Sequence, residues 1–190
     1  MKMEDVYSKL PILETDRLIL RKISLDDLYD MHTYCSNEEV AQYCTWNKHE
    51  SLADTEEFVR FILNKYELDQ YALWGIENKE TGTLIGTIDF VHWQPKQQIA
   101  EIGYAISQAY WRRGIVTEAA KAVIAFGFEE MDLVRIQAKC LIENIGSARV
   151  MEKVGMSYEG LIRKGLLIKG THHDLKSYSI LREEHKNMNR

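Results

Sequence analysis

Proline is scarce in this 190-residue chain: only Pro11 and Pro95 occur, and no low-complexity stretch or internal repeat accompanies them. No linker therefore divides the sequence, and residues 1–190 are read as a single domain of a length at which one core remains efficient. Cysteine is nearly as sparse. Cys35, Cys44 and Cys140 are odd in number and widely spaced, which fits reduced thiols rather than a disulfide framework or a zinc site. No apolar run approaches the ~18 residues that a membrane helix needs, and the opening M-K-M-E-D-V-Y-S-K-L lacks the apolar centre of a signal peptide. The expected location is cytoplasmic, without a membrane partner. An excess of positive charge is also missing, since 24 Lys and Arg stand against 29 Asp and Glu for a formal net charge of −5. With no long basic stripe to offset it, that balance argues against a nucleic-acid partner.

The remaining composition, 45% hydrophobic and 28% charged, is ordinary for a globular protein. Charge is unevenly spread: residues 50–80 hold eight acids against the three bases Arg60, Lys65 and Lys79. That stretch reads either as a solubilising helix face or as a weak field for a cationic substrate.

Periodicity and punctuation divide the chain into elements. Thr15 to Ile23 reads as a strand. Ser24-Leu-Asp-Asp27 and Ser51-Leu-Ala-Asp54 carry capping-box-like start signals; Leu25, Leu28 and Met31 share a face of the first helix, and Phe58, Phe61 and Ile62 one of the second, which runs toward Asp69. Three antiparallel strands follow, Tyr71–Asn78, Thr83–Trp93 and Ile99–Ile106, with the last apolar on both faces and hence central. A helix from Gly114 to about Met131 places Val116, Ala119, Ala120, Val123, Ile124 and Gly127 on one stripe, small enough for close packing on a sheet. Val134–Leu141 reads as a strand, Ile145–Val154 as a helix stopped by Gly155, and about Ser157–Ile168 and His173–Leu181 as two closing strands.

The stretch Y-W-R-R-G-I-V-T-E-A-A, Tyr110 to Ala120, joins the central strand to the most periodic helix. It contains neither the G-x-x-x-x-G-K-[ST] of a nucleotide P-loop nor the G-x-G-x-x-G of a dinucleotide fold. A tight, basic, glycine-containing turn at a helix N-terminus is nevertheless built for an anion, because its N–H groups lack intrahelical partners and the helix dipole favours negative charge there. The alternative is that Arg112 and Arg113 are solvated surface charges.

Glu101-Ile-Gly-Tyr104, Trp111 to Ala119, and Glu143-Asn-Ile-Gly-Ser147 together resemble the GNAT superfamily of N-acetyltransferases, and within it the branch that acetylates ribosomal-protein N-termini. The resemblance is carried also by E-T-D-R-L-I-L-R near the start, by E-N-I-G-S-A-R-V-M-E-K-V-G-M, and by a closing D-L-K-S-Y-S-I-L, so that it extends from Thr15 to about Leu181. It implies a mixed α/β fold, a mostly antiparallel twisted sheet of about seven strands flanked by about four helices. It also implies acetyl-CoA as co-substrate, no metal, and an amine acceptor that is a protein N-terminus or a small molecule. Monomer and homodimer are both compatible with it.

The same resemblance assigns residues. Backbone amides of Arg112, Arg113, Gly114, Ile115, Val116 and Thr117 would cradle the coenzyme A pyrophosphate. The backbone of Tyr104, Ala105 and Ile106 would pair with the pantetheine arm as an added strand, and Asn144 would hydrogen-bond that arm. Glu101 falls where family members often place a base that takes the proton from the acceptor ammonium; its alternative role is an ion pair with an arginine of a neighbouring strand.

Three positions depart from the general superfamily pattern. Trp111 stands first where the usual motif is Q/R-x-x-G-x-G/A, although Trp there also resembles the ribosomal-protein branch. Val116 is bulkier than the usual Gly or Ala, and Met151 stands where many members carry a general-acid tyrosine. Ser147, one turn before Met151, would then protonate or hydrogen-bond the leaving thiolate, or else serve only to cap a helix. A thiolate of pKa ~8.5 leaves readily, so a strong acid is not mandatory. Other acceptors of the same chemistry are polyamines, amino acids or antibiotics, and the missing tyrosine keeps a non-catalytic acyl-CoA-binding module in view. His172-His173-Asp174 has no metal-ligand spacing. Asp174, Tyr178, Trp46, Trp74 and Trp93 either border the acceptor or are structural, and Arg149, Lys153, Arg163 and Lys164 either meet the cofactor 3′-phosphate or are solvated.

Overall fold

Both serine start signals open helices. Ser24 precedes a 3₁₀ turn, Leu25–Asp27, that runs into α1 (Leu28–Cys35), and the Asp27 carboxylate accepts the Ser24 N–H at 2.7 Å. Asn37 caps the short α2 (Glu38–Ala41). Ser51 and Asp54 cap one another at the start of α3 (Leu52–Glu67). These signals were legible because each bond spans only three residues.

The computed structural model describes residue 6, residues 9–68 and residues 72–188. Asp69 and Tyr71, read as a helix end and a strand start, lie outside the described residues. Along α3 the buried stripe is Thr55, Val59, Ile62 and Tyr66. Phe61, expected on that stripe, is instead 51% exposed, with the Lys65 ammonium 5.6 Å from its ring. It precedes Ile62 by one residue, a rotation of about 100° that carries it off the apolar face.

The strands are β1 (Leu13–Glu14), β2 (Leu18–Arg21), β3 (Leu73–Asn78), β4 (Leu84–Gln94), β5 (Ile99–Ile106), β6 (Arg135–Leu141), β7 (Ser157–Ile168) and β8 (Thr171–Leu181); α4 (Ile115–Glu129) and α5 (Ile145–Lys153) flank β6, and α6 (Arg182–Met188) follows β8. They form one sheet in the order β1-β2-β3-β4-β5-β6-β8-β7. Every neighbouring pair is antiparallel except β5 and β6. The strand beyond the seven expected is the two-residue β1, split from β2 by a turn in which Thr15 N–H donates to Leu18 O at 3.0 Å. The helices beyond the four expected are the short α2 and α6.

One face of the sheet receives α4. A Cβ at Gly127 would stand 2.8 Å from Ile136 Cδ1 and 3.1 Å from Leu133 Cδ1, so glycine lets the helix lie close to β6. Trp74 anchors this layer, edge-on to Phe90 (6.0 Å) and Phe126 (5.7 Å), and donates its indole N–H to Pro11 O. On the other face Tyr66 of α3 donates to Leu73 O at 2.7 Å, and Asp30 of α1 accepts Leu84 N–H at 2.8 Å. The buried Thr55 hydroxyl sits between His32 Nδ1 (2.8 Å) and His49 Nδ1 (2.9 Å), tying α1 to α3.

β6, β7 and β8 are stitched by a polar cluster. Arg135 reaches both Glu159 oxygens at 2.6 Å and the Ser179 hydroxyl at 2.8 Å. The Arg135 guanidinium holds the Glu159 carboxyl down to about 2, against burial, from an ordinary 4.5. A carboxyl depressed in the folded state stabilises fully above its unfolded pKa and loses that contribution as pH falls from about 4.5 toward 2. Glu159→Gln is therefore expected to lower the thermal midpoint clearly at pH 6 and less at pH 3; a gap that is equal at both would sink this assignment.

Candidate active site

The central sheet divides at Glu101. β5 pairs with β4 along its whole length but with β6 only at Ile99, Ala100 and Glu101, opposite Arg135, Ile136 and Gln137. Beyond Glu101 the parallel strands part, leaving one edge of β5 open. Ser107 N–H donates to Ile85 O at 2.8 Å. By antiparallel alternation, the backbone groups of Ala105 and Gly103 therefore face β4, while those of Ile102, Tyr104 and Ile106 face the gap. Ala105, expected among the edge-pairing residues, thus has its N–H and C=O turned to β4, and Ile102 takes a place the sequence did not suggest. The Trp111 indole N–H occupies the Ile106 carbonyl at 3.1 Å.

The turn beyond β5 runs through a 3₁₀ segment, Gln108–Tyr110, to the α4 start. Arg112 (φ 61°) and Gly114 (φ 74°) are both left-handed, a winding that turns successive amides toward one side. Gly114 is the N-cap and supplies no side chain, so the first-turn amides of α4 are left uncapped. Val116, the bulky departure, is only 8% exposed and packs in the core, which directs its side chain away from those amides. Arg113 stacks over the Tyr110 ring at 5.5 Å.

A brace that sequence reading did not find supports the turn. Glu118 accepts from Thr15 Oγ1 (2.6 Å), Arg17 N (3.0 Å) and Arg17 Nε (2.7 Å), and Arg17 Nη1 donates to Arg113 O at 3.0 Å. Burial alone would raise the Glu118 carboxyl, but the Thr15 and Arg17 hydrogen bonds outweigh it and hold it low. Only the acidity of Glu118 in the first helical turn hinted at this, since its partners lie about a hundred residues away in sequence.

Glu101 lies at the apex of the gap. Its Oε2 accepts from Lys139 Nζ (2.7 Å) and Gln137 Nε2 (2.9 Å), and its side chain is 12% exposed. The ion pair is with a lysine of β6 rather than an arginine. Strand alternation puts Tyr104 on the opposite face, where its hydroxyl stands 2.9 Å from Ser147 Oγ and 3.2 Å from Ser147 O. Burial pushes the Tyr104 phenol well up. Asn144 is the N-cap of α5, its Oδ1 accepting Ser147 N–H at 3.0 Å, which commits that oxygen and leaves the amide nitrogen for other work. Met151 is 1% exposed within the core and offers no acidic proton. The gap thus connects a carboxylate on one face with a hydroxyl pair on the other, alongside an uncapped helix N-terminus.

Several of the other candidates make contacts within the fold. Asp174 accepts Lys164 N–H at 2.7 Å across the β7–β8 hairpin, where Lys164 is left-handed. Tyr178 is buried against Tyr158, Trp74 is core, and Arg149 pairs with Glu152. Trp46 packs beside His49 and Phe58. Among the described residues no group of three or more His, Cys, Asp or Glu could hold a metal ion, and no helix is long and apolar enough to cross a membrane.

The acetyltransferase (GNAT) domain family matches residues 17–157, a span that takes in the turn, the divided sheet and the α5 start. The chain belongs to the GNAT acetyltransferase family. An N-acetyltransferase of Bacillus subtilis, YoaA, is 37% identical over 172 residues, covering 90% of this chain and 97% of the relative. A solved GNAT acetyltransferase from Bacillus anthracis superposes with a TM-score of 0.80 at 32% identity, covering 91% of this chain and 99% of that one. The ribosomal-protein-serine acetyltransferase of Escherichia coli is 29% identical over 96 residues, half of this chain and 54% of that protein. As a GNAT acetyltransferase, the chain is an enzyme whose acceptor carries an amine.

Proposed function

We propose that this GNAT acetyltransferase moves the acetyl group of acetyl-CoA to a primary amine by direct attack within a ternary complex. The observation that carries the reading is the parting of β5 and β6 immediately after Glu101, beside the uncapped start of α4. In this arrangement the amides of Arg112 to Thr117 hold the pyrophosphate and the open edge at Tyr104 and Ile106 takes the pantetheine, with the Asn144 amide nitrogen within the same lining. Glu101 receives the proton that the acceptor ammonium must lose, through its free Oε1 or a water. Ser147 offers its hydroxyl proton to the departing sulfur. The remaining catalytic effect is positioning.

The N-terminal amine of a ribosomal protein is the acceptor to test first. Similarity to a ribosomal-protein-serine acetyltransferase over half the chain supports it, and an α-amine of pKa ~8 surrenders its proton more readily than a lysine of ~10.4. The test is release of free thiol from acetyl-CoA by the purified protein with N-terminal peptides and small amines. Acceptor-dependent release is expected. Tight coenzyme A binding without release for any amine would contradict the reading.

The brace beneath the turn yields a second expectation. Glu118→Ala removes three hydrogen bonds that fix the α4 start, so coenzyme A binding is expected to weaken about three- to tenfold, equivalent to about 1 kcal/mol. Calorimetric titration reads this directly, and unchanged affinity would mean that the turn keeps its shape without the brace.

A further inference from the structure

We propose that the Tyr104 side chain is a positioning residue for acetyl transfer, keeping the Ser147 hydroxyl proton directed at the leaving sulfur. The inference rests on the proposed role of Ser147 and extends it to a second side chain. The family tyrosine is absent at Met151, yet a different tyrosine hydroxyl reaches the same helix from β5, 2.9 Å from Ser147 Oγ and 3.2 Å from Ser147 O. Asn144 fixes the Ser147 backbone from the other side at 3.0 Å. The residue is thus held at its amide, its carbonyl and its hydroxyl, far more than helix capping requires.

Each hydroxyl has one proton, and the geometry admits two arrangements. In one, Ser147 donates to Tyr104, and Tyr104 donates to the Ser147 carbonyl; the serine proton is then spent. In the other, Tyr104 donates to Ser147 Oγ, and the serine proton is free for a third partner. The thiolate charge that develops on the departing sulfur, a stronger acceptor than a phenol oxygen, selects the second arrangement.

Tyr104 does not itself supply the proton, because burial raises its phenol further above the ~8.5 of a thiol and makes transfer to sulfur uphill. In the transfer step the amine nitrogen bonds the acetyl carbon, the C–S bond breaks, and sulfur keeps the electron pair while accepting a hydrogen bond from Ser147. The surplus proton of the amine leaves through Glu101. Tyr104 contributes by polarising the serine and paying no reorganisation when charge develops on sulfur.

The experiment compares Tyr104→Phe, Ser147→Ala and the double variant, with thermal midpoints as a control; phenylalanine preserves the ring and its packing. The first readout is kcat against the KM for acetyl-CoA, and the second is the apparent pKa of the coenzyme A thiol in the binary complex, followed by thiolate absorbance. Tyr104→Phe is expected to lower kcat about tenfold, raise the bound thiol by about one unit, and leave coenzyme A affinity within about twofold. The double variant is expected to match Ser147→Ala alone. Full additivity of the two changes, or a Tyr104→Phe effect confined to affinity or thermal midpoint, would overturn the proposal. Should Ser147→Ala leave both kcat and the thiol titration untouched, the role given to Ser147 itself fails, an outcome distinct from the failure of Tyr104.

Discussion

Glu101→Gln is expected to lower kcat/KM for an amine acceptor by about 100- to 1,000-fold near pH 7 while coenzyme A affinity stays within about twofold. The substitution keeps the side-chain shape, and an amide oxygen still accepts from Lys139, so the strands on either side of the gap stay linked. What it removes is the proton acceptor. Near neutrality an acceptor of pKa ~8 to ~10.4 is mostly an ammonium without a lone pair, and deprotonation at the site must be supplied. Above about pH 9 an α-amine is already neutral, so the deficit should shrink with rising pH for an N-terminal peptide and persist longer for a lysine. A deficit that is the same at pH 7 and pH 9.5 would reduce Glu101 to an anchor for Lys139. Initial rates of thiol release across that range decide between the two roles.

Gly86→Ala is expected to damage the site from a residue that touches no substrate. Gly86 faces Ile106 across β4 and β5, and an added Cβ would stand 2.4 Å from Ala105 O and 2.9 Å from Ile106 Cα. Both obstacles are backbone, so the methyl is accommodated only by displacing the end of β5. That segment presents the open edge of Tyr104 and Ile106 and leads into the turn at Gly114. Overpacking of this kind destabilises by about 1–3 kcal/mol, a fall in thermal midpoint of about 3–10 °C for a chain of this size. The same displacement should weaken coenzyme A more than about tenfold, since pairing along a strand edge tolerates little misregister. Gly82→Ala is the control: its left-handed backbone (φ 67°) makes alanine cost about 1 kcal/mol or slightly more, but nothing lies within 4 Å of the new methyl. It should lose stability without losing affinity. Normal coenzyme A binding by Gly86→Ala would show that the β5 edge is not part of the donor site.

What the sequence made legible was local. The capping boxes at Ser24 and Ser51, β5 at Ile99–Ile106, and the apolar stripe of α4 each depend on residues within about two helical turns or one strand. The resemblance carried the family and the fold. The division of the sheet was hidden, because it follows from β5 pairing with β6 for only three residues, through partners such as Glu101 and Gln137 that lie 36 positions apart. The brace from Arg17 to Glu118 and the contact of Tyr104 with Ser147 have the same non-local origin. Val116 looked obstructive in sequence because a β-branched residue was set beside a phosphate turn; folding places its side chain in the core and its amide at the turn. Phe61 shows the opposite error, an aromatic residue one position off the buried stripe of α3.

The structure of the protein with bound coenzyme A is the most direct measurement of how donor and chemistry are joined. Pyrophosphate oxygens against the amides of Arg112 to Thr117, pantetheine along the open edge of β5, and the sulfur within hydrogen-bonding distance of Ser147 on the side of the gap across from Glu101 are expected. Coenzyme A bound away from the parting of β5 and β6, or with its sulfur out of reach of both Glu101 and Ser147, would contradict the proposed site.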